Sequence, residues 1–165
     1  MRITTRLAHS RSGVETRYKK DQNKLKLPED LKQFILLPAF ARKRYSNLLK
    51  DQHLFQKESE QSTFNKYVEG KNKKYGIIAS GLAYNYYLEN ANTYQLEYPL
   101  VKISHYPLPH DLITKLAEET EEVLVIEEGY PFIEDKLQGF FNRPYTIKGR
   151  LDGTLPRAGE LNPNL

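Results

Sequence analysis

Between Tyr75 and Lys148 short apolar runs alternate with helical patterns, and this rhythm narrows the choice of fold more than any other feature of the chain. Tyr75–Ala79, Pro99–Ser104 and Glu122–Glu127 each have the length of a buried parallel strand, and each is followed by turn residues and then by a helical pattern. That is the signature of consecutive βαβ units. The spacing predicts a turn at Ser80-Gly81 and a helix over Leu82–Ala91 with Leu82, Tyr86 and Leu88 or Tyr87 against the sheet. After the loop Tyr106-Pro107-Leu108-Pro109, a second helix runs from Pro109 to about Glu121, with Leu112, Ile113 and Leu116 on one face. Glu122–Glu127 is nearly all apolar and is expected at the centre of the sheet. A third helix over Pro131–Phe141 directs Phe132, Ile133, Leu137 and Phe140 inward, and Tyr145–Lys148 is a fourth, shorter strand. The expected class is α/β, three-layered, with a mostly parallel sheet.

The residues before this unit read differently. Met1–Gly13 concentrates polar groups around Thr5-Arg6-Leu7-Ala8-His9 and reads as the end of a preceding structure, and Val14–Leu27 is a Lys-rich linker. Pro28 is expected to open a helix that presents Leu31, Phe34 and Ile35, with Pro38 interrupting it. A second helix from Ala39 to about Glu58 carries Tyr45, Leu48, Leu49 and Leu54–Phe55 as its apolar stripe. Ser59–Lys74 is polar and ends in a hinge. The tail from Gly149 is rich in Gly and Pro and is expected to be irregular. The domain reading is therefore 1–27 as a remnant with linker, 28–74 as a helical arm, 75–149 as the α/β unit and 150–165 as a connecting tail.

Charge divides along the same line. Residues 1–74 carry 18 Lys+Arg against 8 Asp+Glu, and residues 75–165 carry 7 against 13, so the halves are +10 and −6. The basic residues are scattered and not interleaved with aromatics, which does not favour nucleic acid; a basic arm on an acidic surface is the better reading. With no Cys, the chain offers no thiolate nucleophile, disulfide or iron–sulfur ligand. No apolar run reaches the ~20 residues of a membrane span, and a cytoplasmic location is expected.

Several residues invite a chemical reading. Gly76-Ile-Ile-Ala-Ser-Gly81 sits at a strand-to-helix turn, where free N–H groups could receive a phosphate at Ser80 and Gly81, although small residues equally serve close packing. Glu127 and Glu128 end a strand where open α/β sheets place ligands; adjacent on an extended chain, they point apart, and Glu127 reads as a hydrogen-bonded structural carboxylate. His105 and His110 lack metal spacing. Arg6 and His9 lie three apart, and an Arg fork is suited to gripping a carboxylate.

Taken in order, Thr4-Thr5-Arg6 with His9-Ser10-Arg11, Leu37-Pro38-Ala39, Gly76-Ile77-Ile78 with Ser80-Gly81, Tyr106-Pro107-Leu108-Pro109, Val123 to Glu128, Pro131-Phe132-Ile133-Glu134 and Gly159-Glu160-Leu161 resemble the alpha subunit of indolepyruvate:ferredoxin oxidoreductases, within the thiamine-dependent 2-oxoacid:ferredoxin oxidoreductases. The resemblance implies the last part of a pyrimidine-binding domain followed by a transketolase C-terminal-like middle domain. It implies a complete enzyme that decarboxylates aryl pyruvates oxidatively with coenzyme A and ferredoxin, using thiamine diphosphate, Mg²⁺ and [4Fe-4S] clusters together with a beta subunit and the remaining domains of the alpha subunit. None of those cofactors is expected on this chain, which lacks the family's Gly-Asp-Gly motif and its cysteines. By the same resemblance Arg6 contacts the 2-oxoacid carboxylate with His9 in support, while Phe40 departs from the Asn expected there. The chain alone is expected to be catalytically inactive. The alternative is a free-standing α/β module that holds a phosphorylated small molecule at Ser80, Gly81 and the strand ends.

Overall fold

The computed structural model describes residues 5–11, 13, 15–16, 21–138, 146–156 and 161–162. The chain divides into two compact units, Met1–Ala41 and Arg42–Leu165.

In the first unit a single short helix, α1 (Thr5–His9), is described. The expected helix from Pro28 does not form. Asp30 instead accepts the Lys32 N–H through its side chain at 2.9 Å, and backbone bonds Gln33 N–H to Asp30 O and Ile35 N–H to Lys32 O make successive turns. Leu31, Phe34 and Ile35, expected on one helix face, are exposed. Pro38 opens the long helix α2 (Pro38–Glu60), and Leu37 O accepts the Ala41 N–H; a proline at the first helical turn gives up no intrahelical bond.

The second unit holds most of α2 and a five-stranded sheet. The strands are β1 (Lys66–Val68), β2 (Tyr75–Ser80), β3 (Leu100–Ile103), β4 (Glu122–Ile126) and β5 (Thr146–Lys148), in the order β1-β3-β2-β4-β5. All pairs are parallel except β1 with β3. The helices α3 (Leu82–Tyr94), α4 (His110–Glu119) and α5 (Phe132–Leu137) connect the parallel strands. The three-layer, mostly parallel α/β class is therefore what this unit adopts.

Period two sorts the central strand between two cores. Ile78 joins Val101, Ile113, Leu116, Val123, Ile133 and Leu137 under α4 and α5, whereas Ile77 and Ala79 join Tyr87 and Leu100 under α3. β2, not the more apolar β4, is the centre. Its neighbours β3 and β4 flank it on both sides, and Ile77, Ile78 and Ala79 are buried in succession. In β4 only Val123 and Val125 are buried, and Leu124 and Ile126 are half-covered on the face that shares a core with α3. In α3 both alternatives expected against the sheet reach the core, Tyr87 buried and Leu88 partly buried, whereas the expected Leu82 does not. Ser80 prolongs β2, Gly81 turns at φ 57°, and Ala83 and Tyr87 become the buried pair while Leu82 is exposed. In α5 Ile133 and Leu137 are buried as expected, Phe132 is largely exposed, and Phe140 lies outside the described residues. β1 went unread in the sequence because three residues on an antiparallel edge show no period.

Tyr87 gives a direct test of this core. Its ring is buried, its hydroxyl has no hydrogen-bond partner among the described residues, and burial, then Tyr98, pushes its pKa up to about 12. A phenol whose folded pKa is raised stabilises the fold below its ordinary value of 10.0, and that contribution is lost as pH rises from there to about 12. We expect Tyr87→Phe to be near neutral at pH 7 and to remove roughly 2 kcal/mol of the alkaline loss, read from urea unfolding between pH 9 and about 12. A variant as sensitive to alkali as the native chain would exclude Tyr87 as the source.

Candidate functional site at the carboxyl edge of the sheet

β3 lies on one side of β2 and β4 on the other, so the connections leave the central strand in opposite directions and open a crevice beyond Ser80 and Glu127. The crevice has a volume of about 840 Å³. Its floor is Ser80, Glu127 and Glu128, and its walls include Phe55 from α2, Tyr106 and Leu108 from the β3–α4 loop, and Tyr130 and Phe132 from the β4–α5 turn. Tyr106 and Phe132 meet edge to face, with centroids 5.8 Å apart and planes at 72°.

The β3–α4 wall is held by polar groups from far away in the chain. The Asn65 amide donates to His105 O at 2.9 Å and to Ser59 O and Oγ at 3.1 Å, and its oxygen accepts the Ser104 and His105 N–H groups at 2.8 and 2.9 Å. Ser59 Oγ donates to His105 O and Pro107 O, and Gln56 donates to Leu108 O at 2.9 Å. α2 is thereby fastened to the loop through its last turn, which explains why Ser59 is the buried residue of that helix.

Carboxylates of the chain itself fill two of the helix N-termini at this edge. Glu60 accepts His110 N–H at 2.6 Å and Asp111 N–H at 3.3 Å at the start of α4. Glu127 accepts Ile133 N–H at 2.9 Å and Glu134 N–H at 3.0 Å at the start of α5. A phosphate would have to displace these glutamates. The α3 N-terminus at Gly81 carries no side-chain cap, and Gly81 does not line the crevice. Gly76 serves close packing, since a Cβ there would meet Thr120 Oγ1 at 2.7 Å and Leu116 Cγ at 2.8 Å.

Burial raises the Glu127 pKa above its ordinary 4.5, the two backbone N–H bonds pull it down, and the neighbouring Glu134 raises it again, for a net rise. The folded state therefore holds this proton more tightly than the unfolded chain, and stability from the group falls as pH rises from 4.5 through the raised value. Glu127→Gln keeps an acceptor without that loss. Relative to the native chain, the melting temperature of the variant is expected to be higher at pH 7 than at pH 4; the reverse order would contradict the buried carboxylate.

Along its whole length the chain is 29% identical to the indolepyruvate oxidoreductase subunit IorA of Methanothermobacter thermautotrophicus and 30% identical to that of Methanothermobacter marburgensis. It is 32% identical over 147 residues to the same subunit of Thermococcus kodakarensis, covering 84% of the chain and 23% of that subunit. Over the segment it spans, the chain belongs to the indolepyruvate oxidoreductase alpha-subunit family. It spans 28% of the length of the two Methanothermobacter subunits and corresponds to a fragment of such a subunit. No protein-family model matches it. Among solved structures it is similar to a 2-oxoglutarate:ferredoxin oxidoreductase from Magnetococcus marinus, with 13% identity and a TM-score of 0.49 over 68% of this chain and 20% of that one; so distant a likeness carries no argument.

Within this IorA-like segment the crevice brings Ser80 and Glu127 together. Arg6 and His9 belong to the first unit: the Arg6 side chain lies outside the described residues, and His9 is exposed at the end of α1. Sequence reasoning missed Asn65, Ser59 and Glu60, whose partners lie about forty to fifty positions away, and only Tyr106-Pro107-Leu108-Pro109 marked the wall they support. The chain has no Cys to ligate a cluster, and among the described residues no group of three His, Asp or Glu is placed for a metal ion. No helix is long and apolar enough to cross a membrane among the described residues.

Proposed function

We propose that this chain supplies the middle α/β domain of an indolepyruvate oxidoreductase alpha subunit. In this reading residues 1–27 close the pyrimidine-binding domain and lead out of it, 28–74 form the helical arm, 75–149 are the transketolase C-terminal-like domain, and 150–165 lead to the diphosphate-binding domain. The complete enzyme would decarboxylate aryl pyruvates oxidatively, pass electrons to ferredoxin and deliver the acyl group to coenzyme A. Thiamine diphosphate with Mg²⁺ and the [4Fe-4S] clusters would be held by other domains and the beta subunit. The observation that carries this reading is the end-to-end identity of about 30% to one segment of IorA subunits. The role of the chain is then to pack and position, and alone it turns over no oxoacid.

Reconstitution tests the assignment. Mixing the chain with the remaining domains and the beta subunit is expected to restore indolepyruvate-dependent ferredoxin reduction, and failure to dock or to restore turnover would overturn it. In the reconstituted enzyme Arg6→Ala is expected to raise KM for the oxoacid by roughly 10–100-fold, the worth of a lost hydrogen bond to a charged group, with a smaller effect for His9→Ala. An unchanged KM would remove Arg6 from the substrate site. The alternative, a module for a phosphorylated small molecule, loses support because Glu60 and Glu127 occupy the helix ends beside the crevice.

A further inference from the structure

β4 ends at Ile126, so the alternation that parts neighbouring side chains on a strand ends there too, and both Glu127 and Glu128 line the crevice. Glu127 is 5% exposed, and Glu128 is open to solvent. Among the described residues neither carboxylate is ion-paired, whereas Glu69, Glu97, Glu119 and Glu122 each hold a lysine. A buried carboxylate is ordinarily paired. Each Glu127 oxygen accepts one backbone N–H, but a carboxylate offers about four lone-pair sites, so acceptor capacity is left over. The net rise of its pKa shows that those bonds compensate the charge incompletely.

The walls suit the charge that is missing. Tyr106, Tyr130 and Phe132 are largely exposed and bring their rings around the two carboxylates, with Phe55 across from them on α2. Aromatic faces attract cations, and the chain provides an instance of its own: Lys136 Nζ stands 5.8 Å from the centroid of the Phe132 ring, one helical turn away. That ammonium meets the ring without pairing with the floor. We propose that the crevice is a binding site for a small arylalkylammonium, which sets its ring among Tyr106, Tyr130 and Phe132 and its ammonium on Glu127 and Glu128. A volume of about 840 Å³ is ample for a ligand of this class. An anion would face the two glutamates, and an amine without a ring would leave the aromatic walls unmet.

The site lies wholly within the Arg42–Leu165 unit, so the full chain by itself serves for the test. Titration with 2-phenylethylammonium, followed by amide chemical shifts, is expected to give a Kd of about 0.1–1 mM with the shifts centred on Ser80, Tyr106 and residues 127–132. 3-Phenylpropionate has the ring with the opposite charge, and n-propylammonium has the charge without the ring. Both are expected to bind at least ~10-fold more weakly. Glu128→Gln and Tyr130→Leu should each raise the Kd for 2-phenylethylammonium roughly 5–10-fold. Neither should lower the melting temperature, because both side chains are exposed. Lys136→Met removes a competing ammonium and should lower Kd. No binding of 2-phenylethylammonium up to about 10 mM, equal affinity for the three probes, shifts centred outside the crevice, or variants at Glu128 and Tyr130 that bind like the native chain would each overturn the proposal.

Discussion

Asn65→Ala is expected to cost the α/β unit about 3 kcal/mol, a fall in melting temperature of roughly 10 °C. Asn65 is buried and bonds both the end of α2 and the Ser104–His105 backbone, beside the Ser59 and Gln56 bonds to the same wall. Alanine would take the side-chain acceptor from the Ser104 and His105 N–H groups and one of the two donors from the His105 carbonyl, which keeps its bond from Ser59 Oγ. The donor half can be separated from the acceptor half. Asn65→Asp still accepts the two N–H groups but turns a carboxylate toward His105 O and Ser59 O, so it should be at least as damaging at pH 7 as alanine. Urea unfolding of both variants measures this, and a loss under 1 kcal/mol for Asn65→Ala would show that the loop is held by Ser59 and Gln56 without it.

Gly70→Ala is expected to be comparably severe for a different reason. A Cβ at Gly70 would run into the Tyr98–Pro99 peptide and lie 2.5 Å from Glu97 O, all backbone atoms where the chain enters β3. No side chain can rotate away, so the edge strand β1 must separate from β3 or the 97–99 segment must shift; about 3 kcal/mol is expected, at the upper end of overpacking costs. Gly76→Ala is the natural comparison. Its Cβ would meet the Thr120 hydroxyl and the Leu116 side chain, which can yield, and a cost of about 1–2 kcal/mol is expected. Thermal and urea unfolding of the pair checks the order, and a milder loss for Gly70→Ala would mean that the β1 edge is looser than its register with β3 implies.

How far the chain could be read from its sequence depended on the range of the forces involved. β2, β3, β4, α3 and α4 were legible because their hydrophobic period is a local property, and the class followed from their alternation. The helix expected from Pro28 failed although Leu31, Phe34 and Ile35 have the right spacing. Leu31, Phe34 and Ile35 are exposed, so little burial favours that face, and the local bond from Lys32 N–H to the Asp30 side chain prevailed. Glu127 could be placed at a strand end and read as a structural carboxylate, but its partners Ile133 and Glu134 were not legible, because they depend on where α5 begins.

By itself, then, the sequence determined which segments would be strands and helices, that no cysteine chemistry is open to the chain, and which family of subunits the segment belongs to. Only the tertiary structure decided that β2 and not β4 is central, that Glu60 and Glu127 close two helix ends, that Asn65 fastens the crevice wall, and that the α2 stripe is left exposed. The physical reason is one of distance along the chain. Strand order and side-chain bonds across about forty to fifty residues are set by what neighbouring elements bury and satisfy together, and no local period records it.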